Sequence, residues 1–232
     1  MHTNIDAVYW INMNKSIKRR EDMVELLKDD IFSNMKKHRS IAIDGTKKNI
    51  IPLLKSKLEN INLEEYTIKE YACLLSHLKT ILKFSKSDYN IALILEDDVT
   101  LEYKQYWKNS LENCILNAPK DWGILQLCYI PIKNLPKKLY NNKINYSAAA
   151  YIINKKSALS FLKKIYVDNK FKLNENIKHN PDPLLYILIK TYVYKYPYFT
   201  YKVDTSTIHQ NHIKKYHIPY KKIVNKLVKT RK

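Results

Sequence analysis

The stretch Ile91-Ala-Leu-Ile-Leu-Glu-Asp-Asp-Val places three consecutive carboxylates, Glu96, Asp97 and Asp98, directly after five apolar residues. The apolar run predicts a buried strand, and like charges side by side at its carboxyl end repel one another unless a cation neutralises them. In an extended chain Glu96 and Asp98 share one face and Asp97 takes the other. Hard divalent ions such as Mn²⁺ or Mg²⁺ suit oxygen ligands of this kind, with phosphates and water completing the shell. A metal–diphosphate site is the chemistry this predicts. An acidic turn capping the next helix, with Asp98 as N-cap, would draw on the same residues.

Two further groups stand out. The helical pattern Glu70-Tyr-Ala-Cys-Leu-Leu-Ser-His-Leu sets Ser76 and His77 side by side in an otherwise apolar run about 20 residues ahead of the triplet. Such a pair either lines a pocket or includes a hydrogen-bonded core histidine. The first strand, Val8-Tyr-Trp-Ile-Asn, ends at Asn12 and is followed by Arg19 and Arg20. Those guanidiniums suit a bidentate grip on a diphosphate, or the outer face of a helix.

These residues need elements to hold them. Strands are predicted at 7–13, 40–44, 91–95, 123–129 and 146–153, and helices at 17–30, 67–85, 103–116, 155–166 and 183–194. Strand–helix alternation points to an α/β fold with a Rossmann-like, mostly parallel central sheet flanked by helices, where ligands sit beyond the carboxyl ends of strands. At 232 residues, 45% apolar and 27% charged, with a mean hydropathy of −0.44, the chain has the composition of a globular domain. Gly45 and Gly123 are its two glycines, which excludes every Gly-rich phosphate cradle. The longest apolar stretch is about seven residues, far short of the ~20 that span a bilayer. The N-terminus lacks the basic and apolar regions of a signal peptide. Cys73, Cys114 and Cys128 have no metal-type or paired spacing, which predicts buried free thiols in a reducing, cytoplasmic setting.

Charge is distributed unevenly. Residues 1–130 are nearly neutral, whereas 131–232 carry 22 basic and 4 acidic side chains, and from Ile213 onward eight basic residues meet no acidic one. The expected division is a domain over 1–212 and a basic tail over 213–232. Such a tail attracts anionic membrane or another polyanion, and a nucleic-acid-binding module in the second half is the competing reading.

In order and spacing, these pieces resemble glycosyltransferase family 25, which includes lipopolysaccharide-type and procollagen galactosyltransferases. The matching residues are Ile11-Asn12-Met13 with Arg19, Ala42-Ile43-Asp44-Gly45, Glu70 to His77, Glu96-Asp97-Asp98, Ala149-Ala150-Tyr151 through Ala158, and Asp182 and Pro197. The resemblance covers about residues 5–210. It departs at Tyr71-Ala72, where the family has a glycine, and at Ser206, which no acidic residue follows.

The resemblance implies a GT-A-like fold and transfer of a sugar, galactose, glucose or N-acetylglucosamine, from a UDP-sugar donor to a glycan, glycolipid or glycoprotein hydroxyl, with inversion. It implies Mn²⁺ (or Mg²⁺) held by Glu96 and Asp98, with His209 or His212 as an additional imidazole ligand. Asn12, Arg19, Ser76, His77 and Asp97 fall to the donor, Asp97 at its ribose. Asp182 becomes the general base, although its place between two prolines at a helix start also suits a cap. A catalytically inactive, glycan-binding relative would carry the same motifs.

Overall fold

The computed structural model describes residues 3–131, 134–142, 145–202 and 217–231. In chain order the strands are β1 (Ala7–Asn12), β2 (Lys36–Ile41), β3 (Leu58–Glu59), β4 (Ile91–Glu96), β5 (Val99–Thr100), β6 (Ile124–Gln126), β7 (Tyr140–Asn141), β8 (Ala150–Asn154), β9 (Tyr166–Val167), β10 (Lys170–Lys172), β11 (Thr191–Tyr194) and β12 (Thr200–Tyr201). The helices are α1 (Ile17–Leu26), α2 (Ile50–Lys57), α3 (Ile68–Ser85), α4 (Leu111–Leu116), α5 (Lys155–Ile165), α6 (Pro181–Leu188) and α7 (Ile218–Lys229).

Seven strands form the central sheet in the order β2-β1-β4-β8-β6-β11-β7. Strands β2, β1, β4, β6 and β11 run one way, and β8 and β7 run against them. This is the mostly parallel α/β sheet expected. Its middle strands are buried on both faces, as they must be under two helical layers. Ala7, Tyr9 and Ile11 of β1, with Ala92 and Ile94 of β4, face a core shared with α2, α3, α5 and α6. Val8, Trp10, Leu93 and Leu95 face the opposite core, which Met23 of α1 and Cys114 and Ile115 of α4 close.

Helix α3 begins with a capping box: Thr67 Oγ1 accepts from the Glu70 N–H at 3.3 Å while Glu70 Oε2 accepts from the Thr67 N–H at 2.8 Å. Its packing on the sheet underside then carries Cys73, Ser76 and His77 to the carboxyl ends of β1 and β4.

Several predicted boundaries are corrected. The strand expected at 40–44 lies at 36–41, since β2 is an edge strand whose exposed Lys36 and Lys37 conceal it from a hydrophobicity pattern. The helix expected over 103–116 is reduced to a single 3₁₀ turn at 104–106 and the short α4. The helix expected over 183–194 stops at Leu188, and Thr191-Tyr-Val-Tyr instead forms β11, because β-branched and aromatic residues suit a pleated surface. Within the stretch set apart as a basic tail, 218–229 is helical. Val224 and Val228 of α7 pack on Tyr103, Tyr129 and Val193, and Lys221 pairs with Glu102 at 2.9 Å. No helix among the described residues is long and apolar enough to cross a membrane.

Candidate active site

Asn12 closes β1 beside Glu96, the last residue of β4. Past Glu96 the chain turns, so the extended alternation expected through Asp98 ends there. The three carboxylates consequently diverge. Asp97 turns toward β1 and α1, where Oδ1 accepts from Arg19 Nη1 and Oδ2 from Asn12 Nδ2, each at 2.6 Å. Glu96 points toward α3, its Oε1 lying 3.0 Å from His77 Nε2. Asp98 Oδ2 stands 3.6 Å from Arg19 Nη2, while its buried Oδ1 has no hydrogen-bond partner among the described residues.

The electrostatics follow from this layout. Burial, then the neighbouring Glu96 charge, pushes the Asp98 carboxyl up to about 7, against the opposing pull of Arg19. Burial also raises Asp97, although Arg19 and Asn12 oppose the shift. Burial disfavours the Arg19 charge, yet Asp98 and Asp97 outweigh it and hold the guanidinium protonated more firmly than usual. Three carboxylates thus crowd one arginine, which is hydrogen-bonded to Asp97 and stands farther from Asp98. A buried carboxylate oxygen without a partner, beside a second carboxylate, is a donor set that fits a hard divalent cation.

Other predicted residues are placed as follows. Asn12 is buried, and its Oδ1 accepts from Arg39 Nε at 3.0 Å and Nη2 at 2.7 Å. It therefore orders Asp97 and the β1–α1 turn with every polar atom engaged. Ser76 Oγ donates to the Ala72 carbonyl at 2.6 Å and accepts from the Ile43 N–H at 2.8 Å, pinning the turn after β2 to α3. His77 is fully buried, held at Nδ1 by Tyr151 Oη at 3.2 Å. Arg19, Ser76, His77, Glu96 and Asp97 line a common cleft of about 340 Å³.

Asp182 stands in the first turn of α6, where Asn180 holds the N-cap position. Asp182 Oδ2 accepts the Ser147 N–H at 2.8 Å. Burial, offset by that hydrogen bond, and then the Glu96 charge raise its carboxyl above the usual range, so it shares the electrostatic field of the triplet. Glu70 Oε1 fixes this turn by accepting from Asn180 Nδ2 at 2.9 Å. His209 and His212 lie outside the described residues.

The cleft also contains residues to which the sequence reading gave no role in the site. Lys15 and Lys69 line it, as does Asp44, whose carboxylate accepts from Lys15 Nζ at 2.8 Å. Burial opposes ionisation of Asp44, but Lys15 and Thr46 bring it down to about 2. Cys114 and Cys128 are buried as expected. Cys73 is a correction: it is half-buried in the cleft wall, one helical turn from His77, and its thiol groups with His77 and Glu96. The i, i+4 spacing of Cys73 and His77 was the available signal.

A mostly parallel sheet with a charged cleft at the carboxyl ends of its strands is the arrangement in which open-sheet α/β proteins bind ligands. The chain belongs to glycosyltransferase family 25 (LPS biosynthesis protein), whose family model matches residues 5–175, and it is accordingly a glycosyltransferase. No curated protein sequence matches it significantly. Among solved structures it is similar to the glycosyltransferase GlyE of Streptococcus pneumoniae TIGR4, at 12% identity and a TM-score of 0.42 over 82% of this chain, which spans 45% of that one. It is also similar to a glycosyltransferase involved in the glycosylation of the major capsid of PBCV-1, at 11% identity and a TM-score of 0.40, covering 91% of this chain and all of that one.

Proposed function

We propose that the protein transfers a hexose or N-acetylhexosamine from a UDP-sugar to a hydroxyl of a glycan, glycolipid or glycoprotein, inverting the anomeric centre and depending on Mn²⁺ or Mg²⁺. The observation that carries this reading is the buried Asp98 Oδ1, which has no hydrogen-bond partner among the described residues and lies two residues beyond Glu96, the last residue of β4. A divalent ion held there stabilises charge on the departing diphosphate. Arg19 and Asn12 keep Asp97 out of that ligand set by occupying both of its oxygens. Ser76 and His77 shape the donor wall. Asp182 takes the proton from the attacking acceptor hydroxyl, a role suited to a carboxyl raised above its usual range. Lys222, Lys226 and Lys229 on the exposed side of α7 offer an anionic membrane surface a place to rest.

A thermal-shift screen of UDP-sugars with and without Mn²⁺ tests the donor and metal together, because ligand binding raises apparent stability by mass action. One donor should stabilise the protein only when metal is present, and chelation should stop transfer. Asp182→Asn should then keep that stabilisation while losing about 10²–10⁴ in kcat. If no UDP-sugar stabilises the metal-loaded protein, the reading is wrong.

A further inference from the structure

Cys73, His77 and Glu96 meet at the inner wall of the cleft. One donor atom from each, the Cys73 sulfur, a His77 ring nitrogen and a Glu96 oxygen, lies within 4.8 Å of the other two. Cys73 and His77 are one turn apart on the same face of α3, a rigid 18-residue helix capped at its start. Glu96 reaches them from the end of β4. This corner differs in chemistry from the Glu96–Asp98 pair: sulfur and imidazole are soft and borderline donors, whereas two carboxylates are hard ones.

We infer that Cys73, His77 and Glu96 form a second cation site, one for a borderline-soft divalent ion such as zinc, and that this site excludes Mn²⁺ by taking Glu96 from it. Three protein ligands with an open fourth position suit zinc, and water from the cleft fills that position. Tyr151 Oη at His77 Nδ1 holds the imidazole with Nε2 turned toward Glu96, the outer support that metal-ligating histidines ordinarily have. The thiol gives up its proton to solvent as the sulfur–metal bond forms, so zinc with one thiolate and one carboxylate leaves no net charge. Binding of zinc here does not depend on the sugar-transfer reading; only the exclusion of Mn²⁺ does.

Titration of the full chain with Co²⁺ as a spectroscopic stand-in for zinc tests the site directly. One equivalent should produce a thiolate-to-cobalt charge-transfer band, which zinc then bleaches. Cys73→Ser should abolish the band and weaken zinc at least tenfold, and Tyr151→Phe should weaken it about 10–100-fold. Thermal unfolding of each variant reports folding, and Cys73→Ala gives a second route should the serine variant fail to fold. The absence of a thiolate band in the wild-type protein overturns the inference, as does a band that survives in Cys73→Ser. If zinc binds through Cys73 but leaves Mn²⁺ affinity unchanged, the site stands and the shared use of Glu96 fails.

Discussion

Asp98 is a mostly buried carboxylate whose charge costs the metal-free fold stability. Its carboxyl titrates near 3.8 when unfolded and near 7 when folded, so folding disfavours the charged form. The penalty is absent below about pH 4, grows between pH 4 and 7, and is complete above pH 7. Asp98→Asn should therefore raise the Tm of the metal-free protein at pH 8, on the order of 5 °C for a chain this size. The same variant should lose the stabilisation by Mn²⁺ and at least ~100-fold in turnover, in line with removal of a preorganised electrostatic partner. Arg19 is its counterpart. Arg19→Ala leaves Asp97 and Asp98, both mostly buried, without their shared cation, and chemical denaturation should register a loss of about 3–5 kcal/mol. The carboxylates could be found from sequence because they interrupt an apolar run. Their divergence, Asp97 toward Arg19 and Glu96 toward His77, could not, since it depends on a turn at 97–98 and on an arginine 78 residues away.

At the level of elements, the turn after β2 and the start of α3 approach more closely than a side chain allows. A Cβ on Gly45 would lie 2.9 Å from Lys69 Cα and 3.2 Å from Ala72 Cβ. Backbone atoms of a capped helix cannot move aside singly, so Gly45→Ala should displace the turn. We expect a loss of about 1–3 kcal/mol in stability, measured by urea unfolding, together with weaker donor binding because Ser76 no longer holds Ile43 in place. The sequence pattern located β1, β4, α3 and α5 to within a residue or two, for apolar runs and amphipathic periodicity are strongest where burial is greatest. It misplaced β2 and missed β7 and β12, short or edge strands whose identity is settled by their neighbours. Helix α7 was legible only as charge; of its apolar residues just Val224 and Val228 are buried.

The whole molecule carries a net charge of +19, and most of that excess lies in the second half of the chain. Helix α7 is fastened on its inner side by Tyr103 to Asn225, by Lys221 to Glu102 and by Arg231 stacked 4.4 Å from the Tyr196 ring. Its outward Lys222, Lys226 and Lys229 are exposed. Sedimentation with phosphatidylserine vesicles should capture the protein at low salt and release it as salt rises, while Lys222→Glu with Lys226→Glu should largely prevent capture. Equal binding to neutral vesicles would refute an electrostatic contact. The sheet itself has a further consequence. Because β8 runs antiparallel between β4 and β6, residues 145–149, which lead into it, come to the same edge as the triplet, and the Ala149 carbonyl accepts from the Glu96 N–H at 2.8 Å. A change of length or composition in that stretch would alter the surroundings of Glu96 while leaving the pairing of β1, β2 and β4 intact.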